Sequence, residues 1–303
     1  MSDSPIQHPK SPIQIGVMAA RLKTLAAAVA PVVVGTAMAL EAGAWHLPSA
    51  LLALGAAIFV QIGTNLHNDY RDFERGADTE GRKGPTRVTQ AGLVSPRVMR
   101  RATLLVFGAA CACGLMLLGR GGWPVLAVGA ASVLCALAYS AGGRFGLADR
   151  GLADLAVLVF FGPVAVGGTY YVQALALPPR VTAAGLGPGL LSVAILLVNN
   201  VRDVDEDRAA GKRTLVVRMG RRAGAWLYAA CITGAALVPV VLWGATGDHA
   251  WAMTASLVLP LAWPALRTMH QRRRDADALN ALLGTTGRLL AFYGLAFSIG
   301  WNV

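Results

Sequence analysis

Charge is what this chain has least of. Of 303 residues only 14% are Asp, Glu, Lys or Arg, while 55% are hydrophobic and the mean hydropathy is +0.53. A soluble domain carries about 25% charged residues, so a water-surrounded fold is excluded and most of the chain has lipid as its solvent. Cysteine is scarce as well. Cys111, Cys113, Cys135 and Cys231 all fall in apolar runs, Cys111 and Cys113 are not spaced as CxxC, and no histidine partners lie nearby. They read as packing residues, which argues against a disulfide or a zinc site. No fixed-period repeat is visible. Carboxylates are fewer than cations, 16 against 27, and the net charge is +11.

What the chain does have is a succession of apolar stretches of about 17 residues or more, the length of a membrane span. Nine can be drawn: 25–40, 50–68, 102–118, 123–140, 152–174, 182–199, 225–243, 251–267 and 282–300. The first and third are short and imply tilt or extension into their flanks. The 35 glycines let helices approach closely, and Gly162, Gly167 and Gly168 would serve close packing more readily than a lipid-tail groove. The expectation is an all-α, polytopic membrane helical bundle of nine transmembrane helices. Residues 1–20 form a polar N-terminal tail, and 21–303 form a single intramembrane domain. Segment 25–40 reads as a retained first helix, since further spans follow it.

The basic residues set the orientation. Residues 1–24 and the connections 69–101, 141–151, 200–224 and 267–281 hold 3, 8, 2, 7 and 4 Lys and Arg residues, 24 of the 27. The opposite connections hold only Arg120 and Arg180, and Arg288 lies inside the last segment. The positive-inside rule then puts the N-terminus in the cytoplasm. The alternation requires an odd number of spans. The same rule accounts for the basic surface without nucleic acid. The expected location is the inner (cytoplasmic) membrane, with multiple passes through the bilayer and no obligatory protein partner evident.

The few carboxylates are bunched where two apolar segments end. One bunch is Asn65-Leu-His-Asn68-Asp69-Tyr-Arg-Asp72, with Asp78 beyond it; the other is Asn199-Asn200-Val-Arg202-Asp203-Val-Asp205-Glu206-Asp207. Helical spacing of four aligns Asn68 with Asp72, and Asn199 with Asp203 and Asp207, while Asp205 and Glu206 point off that face. Each bunch is followed by cations and hydroxyls, Gly81-Arg-Lys83-Gly84-Pro85-Thr86-Arg87 and Gly211-Lys212-Arg213-Thr214. Oxygen-rich walls suit Mg2+, which takes one or two protein carboxylates and completes its shell with water and phosphate. Arg and Lys suit the phosphate itself. The bland alternative is capping, or pairing with Arg71 and Arg202. Two ladders with matching basic sequels disfavour it, because ionisable groups at membrane depth are functional by default. A transporter would carry such groups near the bilayer midplane. A CDP-alcohol phosphatidyltransferase would carry a DGxxAR…GxxxDxxxD signature, which is absent.

These residues resemble those of the UbiA superfamily of intramembrane aromatic prenyltransferases. Its NDxxDxxxD-like first motif reads here as Asn68-Asp69-Tyr-Arg-Asp72, with Gly at position 76 and Asp78 two residues later. Its DxxxD second motif is intact as Asp203-Val-Asp-Glu-Asp207. Further stretches are similar to the branch that acts on 1,4-dihydroxy-2-naphthoate in menaquinone biosynthesis. They are Arg21-Leu-Lys23-Thr24-Leu25 with APVVVGTA, the loop NLHNDYRDFERGADTEGRKGPTRVTQAGLVSP, the fifth-helix stretch GLADLAVLVFFGPVAVGGTYYVQ in which Asp154 holds an acidic position, NNVRDVDEDRAAGKRTLVVRMG and LNALLGTTGRLLAFYGL. Leu22 stands where the family has Pro. The YxxxK motif of other members would fall on Tyr139 and Arg144.

The resemblance implies a Mg-dependent polyprenyl transfer from polyprenyl diphosphate to dihydroxynaphthoate, with decarboxylation. Asn68, Asp72, Asp203 and Asp207 would be metal ligands for two ions, with Asp69 a further catalytic candidate. Substrate binding would fall to Arg21, Lys23, Asn65, Arg87, Tyr139, Arg144, Asn199, Asn200, Lys212 and Arg213. The active site would open on the cytoplasmic side. Another aromatic acceptor, such as 4-hydroxybenzoate or homogentisate, is the nearest alternative.

Overall fold

In a bilayer every backbone N–H and C=O must be satisfied within the protein, which favours helices. The computed structural model describes residues 11–76, 84, 87–139, 141 and 146–303, and among them there are helices and connecting turns but no strand. In chain order the α-helices are α1 Pro12–Ala20, α2 Ala26–Glu41, α3 Leu47–Glu74, α4 Pro96–Gly121, α5 Trp123–Tyr139, α6 Leu147–Arg150, α7 Ala153–Val159, α8 Ala165–Ala174, α9 Pro179–Ala184, α10 Leu186–Arg202, α11 Val204–Ala209, α12 Leu215–Met219, α13 Arg221–Thr246, α14 Val258–Leu261, α15 Trp263–Gln271 and α16 Ala276–Trp301. Their starts follow local chemistry. Ser11 and Gln14 form a capping box before α1, Ser95 caps α4 with Pro96 at its first position, and Asp275 accepts from the Ala278 amide before α16.

By length and composition, six helical stretches among the described residues can cross a membrane: Leu47–Glu74, Pro96–Gly121, Ala153–Ala174, Pro179–Arg202, Arg221–Thr246 and Ala276–Trp301. A seventh is counted if Pro12–Thr24 and Ala26–Glu41, bent by 56°, act as one span. The expected segment 123–140 appears as the shorter α5. The expected segment 251–267 is not one continuous helix. It is a 3-10 stretch, Ala250–Leu257, followed by α14 and α15. Pro260 and Pro264 have no N–H to continue a helical ladder there. Of the expected polar N-terminal tail, residues 1–10 lie outside the described residues, and most of the remainder forms α1.

The bundle is organised around α10. Fourteen of its residues, from Gly187 to Arg202, are buried, and it packs against α13, α16 and α7. For the Pro179–Arg202 span 72% of the most apolar window is buried, against 22% for each of α3 and α4. The peripheral helices instead expose Leu105, Met116, Trp123 and Leu134, an apolar surface far larger than water tolerates and suited to lipid. At the end remote from the acidic clusters, Glu41 gathers Arg180 at 3.7 Å, His249 at 3.6 Å and the Trp301 indole N–H at 3.4 Å, tying α2 to both ends of the later chain.

The close approach to α10 depends on glycine. Between α7 and α8 the chain makes a π turn, Phe160–Val164, that contains Pro163. There Gly162 lies against the start of α10. A Cβ at Gly162 would sit 2.7 Å from the Gly185 carbonyl oxygen and 3.1 Å from the Gly189 Cα. Gly162 therefore serves packing, as expected, whereas a Cβ at Gly168 would meet nothing within 4 Å. Because the atoms facing Gly162 are backbone and cannot rotate away, Gly162→Ala is expected to destabilise the protein by about 1–3 kcal/mol and Gly168→Ala to be neutral. Thermal melting in nanodiscs checks this; equal melting temperatures for the two variants would contradict the packing role.

Candidate active site

Both acidic clusters sit where long helices run out of the apolar region. Helix α3 continues past the expected end of its apolar segment to Glu74, so Asn65, Asn68, Asp69 and Asp72 are all helical. The second cluster is built differently. Helix α10 ends at Arg202 and α11 begins at Val204, so the Asn199–Asp203–Asp207 ladder spans a helix junction. Its spacing survives because the Asp203 amide donates to the Asn199 carbonyl at 2.9 Å and the Asp207 amide to the Asp203 carbonyl at 2.8 Å.

The first cluster divides into struts and site groups. Asn65 is buried and its amide donates to the Ala20 carbonyl at 2.9 Å and to Thr24 Oγ1 at 3.1 Å. With Gln61, which donates to Thr24 Oγ1 at 3.0 Å, it pins the corner after α1 onto α3. Arg21 stands at that corner in a left-handed conformation, φ 52°. Lys23, next in the corner, is exposed. Asp69, expected as a further catalytic candidate, acts as a strut in this structure. Its two carboxylate oxygens accept the Val88 and Thr89 amides, each at 3.1 Å. Arg71 instead binds Glu74 at 3.0 Å and the Ala141 carbonyl at 3.1 Å. By strapping residues 88–89 to α3, Asp69 sets the neighbouring Arg87 against Asp72, and these two buried side chains form an ion pair. The amide oxygen of Asn68 is buried without a hydrogen-bond partner.

In the second cluster Asp203 receives Arg202 Nε at 2.6 Å and Nη2 at 2.7 Å, while the same guanidinium donates to Asn280 on α16 at 2.8 Å. Asp207 pairs with Lys212 at 3.2 Å, and the Lys212 amide closes the loop on the Asp207 carbonyl at 2.9 Å. Asp205 points away, as expected, and pairs with Arg221 at 2.8 Å. Burial raises the pKa of Asp207 above the usual carboxylate range. Lys212 opposes the shift, and the nearby charges of Asp203 and Asp72 reinforce it. Burial works against the charged form of Lys212, yet Asp207 and Asp72 together hold its pKa above the ordinary value. The Asn199 amide reaches back to the Ile195 carbonyl at 3.4 Å, and the Asn200 amide nitrogen is buried without a partner.

The two clusters meet. Asp72 on α3 acts electrostatically on both Asp207 and Lys212, and Arg87 acts on Lys212. Tyr139, the last residue of α5, lies within range of the charges of Asp154, Asp207, Asp72 and Arg21. Of the expected residues, Arg213 goes elsewhere. It lines a neighbouring surface cavity of about 550 Å3 with Asp149, Arg150, Leu152, Gly211 and Arg218. Arg144 and Asp78, with Lys83 and Thr86, lie outside the described residues. Asn280 enters the picture from the structure, and Asp154, already marked as an acidic position in the sequence, gains its place near Tyr139 there. The signal for Asp154 was present, a lone acid in an apolar segment; Asn280 gave none, because it acts through a contact distant in the chain.

Among the described residues, no three acidic, histidine or cysteine side chains come together closely enough to hold a metal by themselves. The donors present are all oxygen: the unpartnered Asn68 amide and the carboxylates of Asp72, Asp203 and Asp207. That set fits Mg2+, which binds through one or two carboxylates and leaves the rest of its shell to phosphate and water. It does not fit a thiolate- or imidazole-bound metal.

Residues 28–295 match the model of the UbiA prenyltransferase family. The chain is 36% identical over 288 residues to the 1,4-dihydroxy-2-naphthoate octaprenyltransferase of Escherichia coli K12, with 92% of each chain covered. It is 37% identical over 283 residues to the enzyme of the same name from Mycobacterium tuberculosis, covering 92% of this chain and 94% of that one. Its fold is similar to that of a UbiA homolog from Archaeoglobus fulgidus solved bound to GPP and Mg2+, with a TM-score of 0.60, 15% identity, and 94% and 99% of the two chains covered. With a family match over most of its length and relatives this similar end to end, the chain belongs to the UbiA prenyltransferase family.

Proposed function

We propose that the protein transfers a polyprenyl group from polyprenyl diphosphate to 1,4-dihydroxy-2-naphthoate, with loss of CO2, to give demethylmenaquinone, released as its quinol. One observation carries the reading: Asp72, from the end of α3, and the Asp203–Asp207 pair, from the end of α10, form one electrostatically coupled site that also holds Arg87 and Lys212. A diphosphate needs that combination of oxygen ligands and cations. The names borne by the relatives supply the acceptor.

Asn68, Asp72, Asp203 and Asp207 would hold two Mg2+ ions. Magnesium bound there supplies neutralisation of the diphosphate as negative charge develops on it. Arg87 and Lys212 already stand against the ligand carboxylates and can turn to phosphate oxygens, Arg in a bidentate grip and Lys as a point charge. Asn200 offers an unused amide donor. Asn65 and Asp69 act on the site through Arg21 and Arg87 as positioning residues. Arg21, held at the corner after α1, would take the carboxylate of the acceptor, with Lys23 beside it. The ring carbon bearing that carboxylate attacks the allylic carbon freed from diphosphate, and CO2 departs. The prenyl chain lies in lipid-facing apolar surface.

We also propose nine passes through the cytoplasmic membrane, counting α2, α3, α4, α5, α7 with α8, α9 with α10, α13, the 250–271 stretch, and α16. The concentration of Lys and Arg on one set of connections puts the N-terminus and the active site on the cytoplasmic side.

Three outcomes are expected in membranes supplied with Mg2+, a defined polyprenyl diphosphate and dihydroxynaphthoate. Mass spectrometry of the wild-type product should reveal a prenylated, decarboxylated naphthoquinol; a prenylated phenol formed from 4-hydroxybenzoate in its place would reject the acceptor. Asp72→Ala and Asp203→Ala should each lose about 100-fold or more in kcat/KM, roughly 2.7 kcal/mol of transition-state stabilisation, and near-normal turnover in both would sink the metal assignment. Asp69→Asn should lose only about 10-fold, mainly as a raised KM for the diphosphate, since it loosens the strap behind Arg87 without removing a ligand. A loss as deep as that of Asp72→Ala, confined to kcat, would return Asp69 to the ligand set.

A further inference from the structure

Asp154 is an acid near this site that no side chain among the described residues holds. It lies in the first turn of α7, within a span that is otherwise apolar, and the residue is 7% exposed. Both carboxylate oxygens are buried and neither makes a hydrogen bond of ordinary geometry; the nearest donor acting on it is its own backbone N–H. The contrast with its neighbours is sharp. Asp72, Asp203 and Asp207 each face a basic side chain, and Asp69 holds two backbone amides. A carboxyl buried at membrane depth without partners is costly, and an unsatisfied buried group in a native fold calls for an explanation.

Position supplies one. Tyr139 is acted on by Asp154 as well as by Asp72, Asp207 and Arg21. Asp154 thus lies within electrostatic range of a tyrosine that the diphosphate-cluster acids and the cation assigned to the carboxylate of the acceptor also reach. It is not in the diphosphate cluster itself, and among the described residues neither carboxylate oxygen has a side-chain donor. The aromatic acceptor brings such a donor. Its ring carbon becomes a stronger nucleophile when the adjacent ring hydroxyl gives up its proton.

We propose that Asp154 is a catalytic residue, the general base that takes the proton of the acceptor hydroxyl next to the reacting carbon. The proposal rests on the aromatic-acceptor reading above. As the Asp154 carboxylate takes the proton, the O–H electron pair becomes a ring carbonyl. The ring carbon bearing the carboxylate forms its bond to the allylic carbon, and diphosphate leaves with the electrons of the broken C–O bond. The C–CO2 bond then breaks, its electron pair restores the aromatic ring, and the ring oxygen recovers the proton from Asp154. Asp154 ends as it began, with no oxidant or further reactant needed.

The test uses the full chain in nanodiscs with Mg2+, a polyprenyl diphosphate, and two acceptors: dihydroxynaphthoate and a ring-fluorinated analogue whose hydroxyl is more acidic. Asp154→Asn is expected to lower kcat about 100-fold or more for the ordinary acceptor. The loss should be at least about 10-fold smaller for the acidic acceptor, which needs the base less. Asp154→Glu should recover part of the loss, and binding of an unreactive prenyl thiodiphosphate should stay within about 2-fold of wild type. Equal losses for both acceptors, a parallel loss of thiodiphosphate binding, or undiminished activity would each overturn the proposal. So would failure of Asp154→Asn to fold, because a carboxyl without partners should not be holding the structure together. A wild-type protein that prenylates 4-hydroxybenzoate and not dihydroxynaphthoate would overturn the acceptor assignment alone, and the variant would then be read with fluorinated and plain forms of that phenol.

Discussion

Charge balance at the ends of α3 and α10 governs this structure. Carboxylates brought together at the edge of a low-dielectric bundle repel one another and lose hydration. The protein answers with a cation for each: Arg87 for Asp72, Arg202 for Asp203, Lys212 for Asp207. The compensation is incomplete at Asp207, where burial and neighbouring acids still favour the protonated form. A site in that condition has use for a divalent cation, and the cations already present have use for a diphosphate. Ligand and receptor share one electrostatic logic.

That cluster stays in place because its supports are mechanical. Asp69 straps residues 88–89 to α3, and Asn65 with Gln61 holds the Arg21 corner. Asn280 on α16 holds Arg202, and through it Asp203. Beneath them α10 is buried along nearly its whole length, pressed by glycines against the 160–164 turn and by Gly187 against Tyr293. A rigid central helix with a break just after its last buried turn presents Asp203 and Asp207 from a fixed base, which is what a site that must grip a leaving group requires.

Much of this was legible in the chain. Apolar lengths located eight of nine helical segments as helices and revealed the two acidic ends, because hydrophobic thickness and the scarcity of charge act locally along a sequence. The segment 251–267 defeated that reasoning, since hydropathy does not register the interruptions at Pro260 and Pro264. The contacts of Asp69 were beyond it too. Within the motif it is indistinguishable from a metal ligand, and only the fold of residues 87–92 turns its oxygens onto backbone amides. Arg213, adjacent in sequence to Lys212, faces another cavity.

The sequence alone determined the solvent of this protein, its helical class and the two acidic clusters, which follow from composition and spacing along the chain, while the family resemblance came from its motifs. Tertiary structure decided which contacts each acid makes: a basic side chain, backbone amides, or no side-chain donor among the described residues. Those distinctions depend on partners far apart in the chain: Arg87 for Asp72, the Val88 and Thr89 amides for Asp69, and for Asp154 an absence of partners among the described residues that no local pattern encodes.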